Sequence, residues 1–417
     1  MCEESTVIYT IKNKISNLVM AIKSLFWKRN DKVVLVGSWF GEKFADNSRY
    51  LYQYLFENKE QLNLEKVVWV TRNKALCNSL NELGYESYMM DSTESIYYHK
   101  HAGWHIVCNN PVDTKTLSGD IDGKYSFGVK RIQLWHGVGL KGVGFASNEY
   151  KIAKEKSRLF FCIKGFFRKF ALFNLLLGSR GGWNMNCTLS TTIDTTTVFT
   201  QYFGQDGVRY IESSYPRNCK VPFLLNKERE VLDKFKNFKT VILYLPTFRT
   251  GDNKLDFTGF SERLKNTLED NNILWVQKAH SADRENKIES SCVENVLNLD
   301  PNFDINVLLP HITLLVTDYS SVMFDAMYHR KPVLYLVPDF NEYKNGDRGF
   351  VIEPDSVMCG PKFFTIDELK QQLPKFCHNP KLAIFDGYEE VREKYWGNTN
   401  KDISDIWDDI VKSIMSR

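Results

Sequence analysis

At 417 residues the chain is long enough for two domains, each with its own core. With 43% hydrophobic and 25% charged residues it is globular rather than disordered, and a net charge of only +3 argues against a dedicated nucleic-acid binder. Nine scattered cysteines with no CxxC imply neither a zinc site nor a disulfide framework and fit a reducing compartment.

The start, MCEESTVIYT, lacks the basic region and long apolar core of a cleavable signal. No apolar run approaches the length of a membrane span. A cytoplasmic location is therefore expected. Residues 1–30 carry an amphipathic helix, Thr6 to Trp27, with Ile8, Ile11, Ile15, Leu18, Ile22 and Leu25 on one face and Lys12, Lys14, Lys23, Lys28 and Arg29 around or after it. Such a helix packs on its own domain or a partner, or lies on a membrane surface.

From 31 to 217, short apolar strands alternate with helices. Strands are predicted at Val33 to Gly37, Val67 to Val70, Ile106 to Cys108, Ile132 to Trp135 and Arg209 to Ser213. Helices are predicted at Ser48 to Asn58 and Lys74 to Leu83. This alternation predicts a parallel sheet covered on both faces. Tyr150 to Gly182 interrupts the rhythm. Lys151, Lys154, Lys156, Arg158, Lys164, Arg168, Lys169 and Arg180 stand there against the single acid Glu155, interleaved with phenylalanines and leucines. The segment near 150–182 reads as a helical insertion for an anionic membrane surface, or as a buried helical hairpin.

Tyr215-Pro216-Arg217-Asn218 marks a hinge, and the strand-helix pattern restarts over 218–417. Strands are predicted at Val241 to Leu245, Ile273 to Gln277, Val296 to Leu299, Leu314 to Thr317 and Val333 to Val337, with a last helix from Ile403 to Met415. Two successive α/β units predict two Rossmann-like domains with parallel sheets facing a central cleft, where ligands bind at strand carboxyl ends.

Four turns follow strands and carry chemistry. In Trp135-His136-Gly137-Val138-Gly139-Leu140-Lys141-Gly142 the glycines match G-x-G-x-x-G, but too deep in the domain for the dinucleotide fingerprint. His136, beside Gly137, is better read as a general base for a hydroxyl proton, or as a structural turn histidine. Pro246-Thr247-Phe248-Arg249 offers a hydroxyl and a guanidinium fork for phosphate oxygens. Gln277-Lys278-Ala279-His280 alternates, so Lys278 and His280 share one face. Asp318-Tyr319-Ser320-Ser321 brings two hydroxyls to a helix start, with Asp325 one turn on. Glu342, Tyr343, Asp347, Arg348 and Gly349 form a polar cluster suited to a ribose or polyol, or a solvated loop. Together the turns point to a phosphate-bearing ligand, because phosphoryl transfer needs mainly positioning and charge neutralisation.

These residues resemble the CDP-glycerol glycerophosphotransferase family, which builds teichoic acids and related capsular polymers. The similarity runs from about Val33 to Phe350, through Trp135-His136-Gly137 with Leu140-Lys141, Tyr215-Pro216-Arg217-Asn218, Pro246-Thr247-Phe248-Arg249, Lys278-Ala279-His280, Asp318 to Asp325, Lys331-Pro332, Glu342-Tyr343 and Arg348-Gly349-Phe350. Departures from the family pattern are Val138-Gly139 for Thr-Pro, Phe248 for Trp and Ser281 for Pro, and these bear on acceptor and donor polyol more than on reaction class.

The resemblance implies a GT-B-like fold, with acceptor in the first domain and CDP-polyol in the second. It implies His136 as base, and His280, counted with it as catalytic, as holding the donor pyrophosphate together with Thr247, Arg249, Ser320 and Ser321. Gly137, Lys141, Arg217, Thr247, Arg249, Lys278, Ser320, Ser321 and Asp325 would contact substrate, and Asp318, Glu342 and Arg348 would be secondary binders. The expected reaction moves glycerol phosphate from CDP-glycerol to a hydroxyl of a lipid-linked or polymeric acceptor at the cytoplasmic face of the membrane, releasing CMP. Alternatives are CDP-ribitol or another CDP-polyol as donor, a GT-B glycosyltransferase using a nucleotide sugar, and a membrane-recruited scaffold. No nucleic-acid partner is expected. Dependence on Mg2+ is not readable, since no carboxylate cluster stands out.

Overall fold

The computed structural model describes residues 19–20, 22–109, 119–156, 185–204, 208–219, 223–247, 257–278, 293–340, 343, 349–397 and 401–415. Their contacts sort into two compact units. One lies within Met1–His136, Gly144–Pro222 and Thr399–Arg417, the other within Gly137–Val143 and Phe223–Asn398.

The first unit runs β1 (Asn30–Val36), α1 (Asp46–Glu57), β2 (Lys66–Thr71), α2 (Lys74–Glu82), β3 (Ser87–Met89), α3 (Thr93–His101), β4 (Ala102–Val107), β5 (Lys130–Gln133), α4 (Asn148–Lys156), β6 (Cys187–Ser190), α5 (Ile193–Phe203) and β7 (Arg209–Glu212). The strands form one sheet in the order β3-β2-β1-β4-β5-β6-β7, and every pairing is parallel. Val34 aligns with Val67 on one side and Trp104 on the other. Such central strands are apolar on both faces, which is why Val34, Leu35 and Val36 are fully buried. Local side chains start several helices: Asn73 accepts from the Leu76 N–H, Ser92 from Ser95 and Thr192 from Thr195, each cap stabilising by about 1 kcal/mol. Arg29 anchors the beginning of β1, its guanidinium donating to the carbonyls of His99, Ala102, Tyr125 and Phe127.

The second unit runs α6 (Asn226–Phe235), β8 (Thr240–Leu245), α7 (Phe257–Asp270), β9 (Ile273–Gln277), β10 (Val296–Asn298), β11 (Leu314–Thr317), α8 (Val322–Tyr328), β12 (Val333–Leu336), β13 (Lys362–Phe363), α9 (Ile366–His378) and α10 (Tyr388–Trp396). Its parallel sheet has the order β10-β9-β8-β11-β12-β13. Trp275, Leu264, Leu268, Leu314, Val316, Leu369 and Phe376 share one core beneath it. The last helix, α11 (Ile403–Met415), leaves this unit and packs on α1, β6 and β7 of the first. Trp407 meets Trp104 at 5.3 Å, and the Ser213 hydroxyl donates to Asp409 at 2.7 Å. The contacts thus differ from a continuous 218–417 block. The helix was legible at its own residues, but its apolar face is complementary to the earlier sheet.

Three strands escaped the sequence reading: β3, β6 and β13, of three, four and two residues. β5 is also shorter than expected, ending at Gln133 rather than Trp135. Of the N-terminal amphipathic helix, only its last residues are described. There Ile22, Leu25 and Phe26 are exposed, Phe26 by 84%. The basic-aromatic segment lies outside the described residues from position 157 to 184.

Candidate active site

In doubly wound sheets, ligands bind where the strand order reverses, at the carboxyl ends of the flanking strands. In the first unit this point lies between β1 and β4, and the turns beyond both strands are fastened together. Buried Asp120 accepts from the Phe40 N–H at 2.8 Å and from the Cys108 and Asn109 N–H groups at 3.0 and 2.7 Å. Gly37 passes so close that a Cβ there would lie 2.0 Å from the Asp120 carbonyl oxygen, so no larger residue fits.

His136 follows β5, the neighbour of β4. Its Nδ1 lies 3.0 Å from the Cys108 carbonyl oxygen. A carbonyl only accepts, so Nδ1 carries the proton and the neutral ring presents its lone pair on Nε2. The ring is wedged between Trp135 at 4.1 Å and Trp39 at 5.4 Å. Burial pulls the imidazole pKa below its ordinary 6.5; the Asp46 carboxylate and the Cys108 bond oppose this and the Arg217 charge adds to it. The histidine is therefore neutral at pH 7, as a general base requires. The adjacent Cys108 thiol is pushed well upward by burial, with Asp120 and Asp46 adding to the effect, so it is no nucleophile at neutral pH.

Backbone strain concentrates around this histidine. Trp39, Phe40, Asp46 and Trp135 have φ of 44°, 59°, 65° and 58°, left-handed values that cost a non-glycine residue about 1–3 kcal/mol each. Gly137, at φ 143°, occupies a conformation that only glycine adopts readily. Arg217, expected to contact substrate, is instead 4% exposed and donates to the Asp46 carboxylate at 2.7 Å. The family resemblance implied a substrate contact here, and burial beside a carboxylate places this side chain as an internal brace.

In the second unit the strand order reverses between β8 and β11, at Thr247 and the 318–321 turn. Both carboxylate oxygens of Asp318 lie 2.9 Å from the Thr247 N–H. With 1% exposure, Asp318 ties the two turns together rather than offering an open acceptor. The Lys141 ammonium donates to the Thr247 hydroxyl at 3.0 Å and sits over the Tyr343 ring at 5.2 Å. Tyr343 stacks on Tyr319 at 4.3 Å. Lys141 is held by its own backbone, which bridges antiparallel to Phe350. Ser320 and Ser321 are half-buried at the start of α8. Ser321 has helical φ and ψ and makes no side-chain cap bond, so it is not an ordinary N-cap. Lys278 is half-buried beyond β9, whereas Asp325 is buried within α8, 4% exposed.

Within the second unit the structure thus brings Lys141, Thr247, Asp318 and Tyr343 together at one strand-order reversal. Arg249, His280, Glu342 and Arg348 lie outside the described residues. The sequence reading missed Trp39, Asp46 and Asn47 around His136. Asp46 and Asn47 carried a weak signal, as small polar residues before a helix, but that identifies a cap rather than a partner for a turn some ninety residues away. Among the described residues no group of three His, Cys, Asp or Glu side chains would hold a metal ion. No helix among them is long and apolar enough to cross a membrane.

Comparison with known proteins converges on one family. The CDP-glycerol:poly(glycerophosphate) glycerophosphotransferase family matches over residues 19–402. The teichoic acid poly(glycerol phosphate) polymerase of Bacillus spizizenii is 26% identical over 87% of this chain and 89% of its own length. The teichoic acid glycerol-phosphate transferase of Staphylococcus aureus is 24% identical over 87% of this chain and 90% of its own. Among solved structures, the wall teichoic acid polymerase TagF superposes with a TM-score of 0.69 at 20% identity, covering 98% of this chain and 97% of that one. The fold is GT-B-like, with two Rossmann-like domains. The chain belongs to the CDP-glycerol:poly(glycerophosphate) glycerophosphotransferase family and is an enzyme of CDP-glycerol-dependent glycerol phosphate transfer.

Proposed function

We propose that this enzyme uses His136 to extend a lipid-linked or polymeric teichoic-acid-type acceptor by one glycerol phosphate. The acceptor hydroxyl gives its proton to Nε2 of His136 as its oxygen attacks the phosphorus distal to the cytidine. A new phosphodiester bond forms, the anhydride P–O bond breaks, and CMP leaves with the electron pair. Lys141, Thr247, Ser320 and Ser321 hold the donor's phosphates, joined by Lys278, Arg249 and His280. Glu342 and Arg348 bind secondarily, with Asp318 fixing the Thr247 turn. Preorganised donors of this kind stabilise the charge that accumulates during phosphoryl transfer.

The observation that carries this reading is the tautomer of His136, fixed by its Nδ1–H donation to Cys108 and leaving Nε2 as the base. Purified protein given CDP-glycerol and a glycerol-phosphate-primed acceptor should release CMP. His136→Ala should lower kcat by about 10²- to 10⁴-fold, the usual contribution of a general base. Near-full turnover in that variant would refute the assignment. Offering CDP-ribitol and UDP-sugars alongside CDP-glycerol tests the donor, since a glycosyltransferase would release a nucleoside diphosphate instead.

The acceptor is proposed to sit at the cytoplasmic membrane face. The support is the exposed Ile22, Leu25 and Phe26 beside Lys23 and Lys28, together with the basic-aromatic composition of 150–182.

A further inference from the structure

With His136 as the base, the reading above, we propose that Asn47 is its positioning residue: the Asn47 amide holds the strained Trp135 turn that aims the imidazole. Asn47 is fully buried in the first turn of α1. Its Nδ2 donates to the Trp135 carbonyl at 2.9 Å and to the Leu134 carbonyl at 3.3 Å. Its Oδ1 accepts from the Arg217 N–H at 3.1 Å, and its own N–H donates to the Asp46 carboxylate at 2.8 Å. One side chain thus joins three segments, 46–47, 134–136 and 215–217.

Trp135 is a bulky residue at φ 58°, and left to itself its backbone would relax out of the left-handed region. That relaxation would swing the next residue, His136, off the Cys108 carbonyl. The turn is clamped on both sides: the Trp135 N–H by the Gln133 side chain at 3.0 Å, and the Trp135 carbonyl by Asn47. Asp46, the neighbour of Asn47, supports the other ring against the imidazole. Its carboxylate takes the Trp39 indole N–H at 3.2 Å and the Arg217 guanidinium at 2.7 Å. Among the described residues, the charged and titratable groups acting on or bonded to His136 are Asp46, Arg217 and Cys108, with the Lys43 ammonium over Trp39.

No other residue type reproduces these bonds at this length. Aspartate keeps the size and the acceptor for Arg217, yet turns an oxygen toward two carbonyls. Asn47→Asp should lower kcat for CMP release by about 100-fold, the loss expected when a reacting group is displaced by about 1 Å, with the KM for CDP-glycerol within twofold of wild type. In protein labelled with 15N-histidine, the His136 signal, identified by its loss in His136→Ala, should report Nδ1–H in wild type and a mixture of tautomers in the variant. A merely structural Asn47 would lower the melting temperature but leave the tautomer and kcat unchanged. Should Asn47→Asp fail to fold, Asn47→Ala, which removes the amide donors without burying a charge, takes its place in the same measurements. If His136→Ala is inactive while the Asn47 variant keeps wild-type kcat and tautomer, the positioning role is refuted and the base survives. If His136→Ala stays active, both fall.

Discussion

The first unit should weaken in mild acid because of two buried histidines, His99 in α3 and His105 within β4. His99 is fully buried, donates from Nδ1 to the Ser95 carbonyl at 2.7 Å and accepts at Nε2 from the Asp122 N–H at 3.0 Å. A second proton has nowhere to go without breaking the latter bond. Burial lowers its pKa to about 4, with the Ser95 bond and Asp122 opposing and the charges of Lys124 and Arg29 reinforcing the shift. His105 is pushed in the same direction, by burial first and then by His99 and Arg29. In the unfolded chain such a histidine titrates near the ordinary 6.5. Above that pH neither state binds the proton and stability is unaffected. Between pH 6.5 and about 4 only the unfolded state binds it, so stability falls as pH falls, and the loss is complete below about 4. For His99 alone this amounts to about 2 kcal/mol between pH 7.5 and 5. Urea midpoints followed by tryptophan fluorescence across that range measure it, and His99→Gln should flatten the acid slope. A midpoint that does not change from pH 7.5 to 5, or an unchanged slope in His99→Gln, would refute the reasoning. The effect bears on activity because β4 runs directly into Cys108, whose carbonyl holds His136.

Breaking the Asp46–Arg217 pair by Arg217→Met alone leaves a buried carboxylate without its cation and should cost about 3–5 kcal/mol; the double variant Asp46→Asn, Arg217→Met should recover much of that in the same urea titration. Lys141→Met removes a charged hydrogen bond at Thr247 and should raise the KM for CDP-glycerol by about 10-fold or more, while an unchanged KM would remove Lys141 from the donor site. Replacing Ile22, Leu25 and Phe26 by serine should reduce co-sedimentation with vesicles containing anionic lipid and leave the melting temperature within about 2 °C, since these side chains are exposed.

What was legible in the sequence follows from where each residue finds its partners. Central strands of a parallel sheet are buried on both faces, so VVLVG at Val33 and LLVT at Leu314 announce themselves as apolar runs. The edge-proximal β3 and β13 are too short and polar to do so, and form because a neighbouring strand offers hydrogen bonds. His136, Thr247 and the Ser320–Ser321 pair stood out as candidates because a reactive or hydroxyl side chain just beyond a strand lies where this architecture places ligands.

Charge at a strand end, by contrast, does not distinguish a ligand-binding residue from one that holds the binding turns. Arg217, Asp318 and Lys141 look alike in the sequence, polar residues in turns. Burial separates them: Arg217 and Asp318 are 4% and 1% exposed and each is bonded to a protein partner, whereas Lys141 remains half-buried beside a hydroxyl and an aromatic face. The partners that settle the roles of Arg217 and Asp318 lie 171 and 71 residues away, beyond any pattern of period two or 3.6. The same holds for Asn47, whose bond to Trp135 spans 88 residues. The groups proposed for the chemistry are thus visible as types at positions, while those that fix their geometry emerge only once distant segments meet. Substitutions at the first kind should change turnover or KM with little effect on folding; those at Arg217 and Asp318 should change stability first.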